Sequence, residues 1–162
     1  MPIVKLGKEI ADSWRRISDE ESISPGRVII SLERWQKEAD VLRRHKDGLG
    51  IVLRSDQPPS LIAIDLANFQ LIQLEIPKFG DGRAYSYARI LREQMNYKGE
   101  LRASGNILRD QYIFMLRCGF DSVEVLDTQR IPGFAKAMQE FSVFYQPAAD
   151  ERKPAWQIRH QI

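Results

Sequence analysis

Lys78, Asp81, Gly82 and Arg83 fall within one stretch of six residues, and Arg102, Gly105, Asn106 and Arg109 fall within one of eight. The first group precedes a helical pattern. Free backbone N–H groups at a helix start would face outward there, with two bases beside them, which suits an anion. The second group offers another helix start flanked by two more bases. Together they suit a phosphate, a sulfite or a carboxylate. The same residues also have a plain structural use, with Asp81 as a helix cap, Gly82 as a turn residue and the arginines paired with Asp110, Glu93 and Glu100. For catalysis, the candidates are Lys78 and Asp110, which would exchange protons while the arginines hold an anionic substrate. Tyr85, Arg89 and Arg92 recur at helical spacing and form either a face for another protein or a solvated face, with Glu93 four residues beyond Arg89.

Familiar cofactor chemistry has no foothold in the chain. No GxGxxG follows a strand, and there is no phosphate loop ending in Gly-Lys-Ser/Thr, no GxSxG elbow and no HExxH. No cofactor is recognised. His45 is placed in a loop and His160 in the C-terminal tail, and neither is assigned a role. The lone Cys118 excludes an intramolecular disulfide, and no zinc-type spacing surrounds it. At a helix C-terminus its thiol pKa would rise, so it is read as a small buried apolar residue. Cysteine usage of this kind suggests a reduced, cytoplasmic protein.

The elements that must position these groups follow from apolar spacing. Five short apolar runs, Val28–Ser31, Ile51–Leu53, Leu71–Ile76, Leu101–Ala103 and Val123–Val125, are each followed by a helical pattern. Helices are expected through Trp35, Ala39 and Leu42, over 59–68, after Asp81, over 108–118 with Ser104 or Asn106 as its cap, and from Pro132 through Phe134, Met138 and Phe141. The fold class is α/β, built of repeated βα units with a mainly parallel sheet. It is arranged either as part of a TIM-like barrel or as an open doubly wound sheet. One domain is expected over residues 1–147, with an N-terminal arm up to residue 25 that can supply an edge strand or hairpin at Ile3–Leu6. Residues 148–162 are expected to be a loose tail. In either arrangement open sheet edges need covering, which makes a homodimer the expectation.

Charge narrows the partners. The chain of 162 residues carries 24 Lys and Arg against 22 Asp and Glu, so its net charge of +2 sets up no strong field for nucleic acid or a membrane surface. No apolar run is long enough to cross a bilayer. The asymmetry is local: between residues 78 and 110 seven bases face four acids.

The block IPKFGDGRAYSYARILRE, followed by YKGELRASGNILRDQYIFMLRCGFD, resembles a bacterial domain-of-unknown-function family, number nine hundred thirty-four in that series. The resemblance runs in register from about Gly50 to Phe144 and is most specific between Pro77 and Asp121. Members are typically encoded beside assimilatory sulfite reductase and the sulfonucleotide reductase. The resemblance therefore implies a role in sulfur assimilation, with sulfite reductase as a partner, while the family's label of oxidoreductase follows from gene setting and not from a redox motif. Two positions depart from the family pattern, which has glycine at Ala84 and aspartate at Asn106. An aspartate acting as a catalytic acid or base would be missing here.

Overall fold

The apolar runs become the spine of a single eight-stranded sheet. In the computed structural model, which describes residues 1–150 and 152–159, the strands are β1 (Ile3–Lys5), β2 (Lys8–Ile10), β3 (Trp14–Arg16), β4 (Arg27–Ser31), β5 (Leu49–Leu53), β6 (Leu71–Ile76), β7 (Glu100–Gly105) and β8 (Ser122–Glu124). The helices are α1 (Leu32–Leu42), α2 (Arg83–Arg89), α3 (Arg109–Arg117), α4 (Ile131–Ala137) and α5 (Ala155–Arg159). From β3 to β8 the strands lie side by side in sequence order and all run parallel. A doubly wound sheet reverses direction from its first strand, and this one does not. Right-handed crossovers that always step the same way keep the helices on one side and curl the sheet as in a barrel.

How far it curls is fixed by the chain. β1 and β2 form a hairpin that adds antiparallel to β8, so β2 and β3 are the two outer edges. Only residues 11–13 join them. A flat eight-stranded sheet would be about 34 Å across, at about 4.8 Å per strand spacing. The link from Ile10 to Trp14 can span at most about 14 Å. The sheet is thus rolled into a trough whose edges approach each other.

Alternation along the strands divides the sheet into two faces. Val28, Ile30, Leu49, Ile51, Leu53, Ile72, Leu74, Leu101, Ala103 and Val123 face outward into the main core, against Trp35, Ala88, Leu91, Tyr112, Met115 and Phe134 of the helices. In the trough, Ile29, Val52 and Leu71 pack with Trp14. A Cβ on Gly50 would stand 3.3 Å from the Trp14 ring and 3.1 Å from Ile29, so glycine here leaves room for the indole. From β6 onward the trough face turns polar, through Gln73, Glu75, Arg102, Ser104, Ser122 and Glu124.

Several elements differ from the sequence expectation. The helix expected over 59–68 is two short 3-10 turns, Pro59–Ile62 and Leu66–Asn68. Asp65 sits between them, its carboxylate taken by Trp35 Nε1 and Arg43 and its carbonyl by Asn68 Nδ2, which competes with a continuous helical ladder. The last helix stops at Ala137, so Phe141 lies beyond it and is exposed. The hairpin expected at Ile3–Leu6 forms, but β1 lies inside the sheet between β2 and β8. Beyond Pro147, the Ala149 N–H donates to the Arg117 carbonyl at the end of α3, Asp150 pairs with Arg117, and the Ala155 N–H donates to Phe144 O.

Candidate functional site

The C-terminal ends of the parallel strands deliver three loops to one rim: residues 77–82 after β6, 106–108 after β7 and 125–130 after β8. Gly105 ends β7 at φ +105, and a Cβ there would lie 2.3 Å from the Ile76 carbonyl. Only glycine allows β7 to run this close to β6 before turning, so Gly105 shapes the rim through its backbone. The Asn106 N–H donates to Ile76 O, and the Asn106 side chain is exposed. Neither Ser104 nor Asn106 caps α3. Gln111 does so instead, accepting from the Leu108 N–H, while its Nε2 donates to Phe79 O and ties the first rim loop to the second.

On this rim most bases are already engaged. Arg83 is held by Asp81 through Nε and Nη2, at 3.0 and 2.8 Å, and donates to Ser55 Oγ. The Asp81 carboxyl is kept far below the usual carboxylate range, first by Arg83. Its Oδ1 also accepts the Arg83 N–H at the start of α2. Arg109 pairs with Glu140. Arg54 pairs with Glu33 and Asp56. Lys78 is exposed with no ion-pair partner among the described residues, and so is Arg130 on the loop after β8. Arg130, Gln129, Arg109, Asp110 and Leu108 line a cleft of about 540 Å³ between α3 and α4, closed by Gly133 and Glu140. The arrangement offers two exposed, unpaired cations among the described residues, three more held by carboxylates, and a recess lined by Arg109 and Arg130. Among the described residues no group of three or more His, Cys, Asp or Glu could hold a metal ion.

Arg102 is not on the rim. It lies two residues into β7, in register with Gln73 of β6 and Ser122 of β8, and only 2% of it is exposed. Its guanidinium is shared between Asp12, at 2.9 and 3.1 Å, and Glu100, at 3.1 and 3.2 Å. Leu101 and Ala103 point to the helices, so strand alternation sends Arg102 into the trough.

The Tyr85, Arg89 and Arg92 stripe is not one face either. A π-helical turn over Ile90–Gln94 follows α2 and shifts the phase of Arg92. Arg92 is carried to the opposite end of the sheet, where it donates to the carbonyls of Tyr97, Gly99 and Gly119 and to Asp121. Tyr85 packs against Phe114 and Phe120 between α2 and α3. Its hydroxyl is buried, and burial pushes its pKa up, with Cys118 and Asp110 adding to the rise. Arg89 pairs with Glu93 on the outside. Cys118 is buried and burial raises its thiol pKa, which keeps it a thiol. His45 Nε2 is 2.8 Å from the Gly26 carbonyl, and His160 lies outside the described residues.

The sequence reading passed over Arg130 and Asp12. Arg130 stands between the fifth strand and Pro132, a position that itself marks a strand-end loop. Asp12 carries no local signal, because its partner is 90 residues away.

A family model described as a bacterial protein of unknown function, DUF934, matches residues 50–156. The match begins where the resemblance does and runs past Phe144, so it takes in most of the C-terminal segment. No curated protein matches the chain.

Proposed function

Given that the chain belongs to the DUF934 family, we propose that it is an accessory binding protein of assimilatory sulfite reduction. It would hold sulfite reductase, or a small anion, on the rim at the strand ends. The observation that carries the binding role is the contrast among the rim bases. Arg54, Arg83 and Arg109 are each held by a carboxylate, while Lys78 and Arg130 are exposed and unpaired among the described residues. Exposed, uncompensated cations steer an acidic partner and cost little to engage. Lys78 stands in the open and not in a desolvated cleft, which favours binding over proton transfer. The pathway is the one that the family resemblance implies.

An enzyme is the competing reading, and it draws on Asp110, which lines the cleft beside Arg109 and Arg130. Mixing the protein with purified sulfite reductase separates the two. Salt-sensitive binding supports the accessory role. No binding at low salt, together with consumption of sulfite when the protein is given an electron donor and no reductase, would replace it with the enzyme.

A further inference from the structure

The buried guanidinium of Arg102 is covered by a strap that shields it without belonging to its sheet neighbourhood. β2 and the connection to β3 are exposed along Lys8–Ser13, and the strap is anchored at Trp14. From this exposed strap Asp12 reaches down and occupies the end of the Arg102 fork with both carboxylate oxygens. Glu100 takes the side edge of the same guanidinium, and its Oε1 also receives the Ser122 hydroxyl at 2.5 Å. Two residues along β7, on the same trough face, the Ser104 hydroxyl is buried and has no hydrogen-bond partner. Leaving a buried hydroxyl unpaired is unfavourable, so the group calls for a partner. Next to this polar half lies the apolar half formed by Ile29, Val52, Leu71 and Trp14. A few fixed polar groups beside an apolar wall is the usual composition of a small-molecule site.

We propose that the trough is a ligand site for a small carboxylate or tetrahedral oxyanion, and that Asp12 is its built-in occupant. A ligand anion would take the end-on fork of Arg102 in place of the Asp12 carboxylate, conserving the local charge. The strap covalently linked to the site would then set the apparent affinity, because free ligand competes with an intramolecular carboxylate. This site is separate from the rim: it does not use Lys78 or Arg130, and the strap lies outside the stretch that the family model matches, whereas Arg102 and Ser104 lie inside it.

The test is calorimetric titration of sulfate and of acetate into the full chain, as wild type and as Asp12→Asn. The amide of Asn keeps the size of the strap residue and removes its charge. The variant is expected to bind at least one of these anions on the order of a hundredfold more tightly than wild type, as when a site closed about 99% of the time is opened. Asp12→Asn combined with Arg102→Met, which replaces the ionic group by an apolar one, should lose the gain. A folded Asp12→Asn protein with wild-type affinity overturns the proposal, as does a gain that survives Arg102→Met. Should Asp12→Asn fail to fold, hydrogen exchange on wild type decides. Acetate, compared with chloride at matched ionic strength, must speed exchange at Asp12–Trp14, and unchanged exchange rejects the site.

Discussion

Arg102 and Arg130 belong to the same residue type but lie on opposite faces of the sheet, one in the trough and one beside the helices, and the fold treats them in opposite ways. Arg102 is enclosed by Asp12 and Glu100 in the trough, whereas Arg130 lines an open cleft and pairs with no carboxylate among the described residues. The difference lies in how many fixed counter-groups surround each charge. A guanidinium with its fork filled holds strands and a strap together, and a guanidinium left open is available to a partner. Arg92 shows the first condition at the other end of the sheet, where four acceptors fix it among the loops before β7 and β8.

Substitutions can break that contrast at graded cost. Arg102→Ala leaves Asp12 and Glu100 facing each other without their shared cation, and should lose about 3–5 kcal/mol of stability in urea denaturation. A loss below about 1 kcal/mol would mean that Arg102 is no more structural than the rim bases. Arg92→Met strips one charged and three carbonyl acceptors and should cost about 2–3 kcal/mol. Tyr97→Phe removes the hydrogen bond from the buried hydroxyl to Phe69 O, at about 1 kcal/mol.

The same tyrosine sets an alkaline limit. Burial pushes the Tyr97 phenol well above its ordinary pKa, and burial raises Tyr112 as well. The native state therefore keeps these protons after the unfolded chain begins to lose them near pH 10. Stability is complete below that pH and falls as pH rises above it. Tyr97→Phe should flatten the fall, which denaturation midpoints across pH 9–11, about one unit either side of the free phenol pKa, will show. The smallest stability change belongs to the rim. Lys78→Ala with Arg130→Ala should stay within about 0.5 kcal/mol of wild type, while partner binding weakens.

The strand framework is legible in the sequence because each apolar run is bounded by turn residues. β6 occupies the span its apolar pattern marks, Leu71–Ile76. Consecutive strand order, which decides for a barrel-like trough over a doubly wound sheet, depends on pairing between distant segments and is not written locally. The site was partly legible. Strand ends could be located, and Lys78 and Arg83 with them, because loops after parallel strands must lie at one edge. Alternation with Leu101 and Ala103 shows that Arg102 opposes the helices, but the carboxylate that seals it comes from Asp12 in the N-terminal arm. Arg92 was misplaced because a single π-helical turn shifts every later residue off the face that regular spacing assigns.

The most direct measurement is the binding of purified sulfite reductase to wild type and to the Lys78→Glu, Arg130→Glu double variant, at low and high salt. The account predicts wild-type binding that weakens as salt rises and is lost in the folded double variant, with no matching loss of stability. Equal binding by both proteins, or none by wild type at low salt, would contradict it.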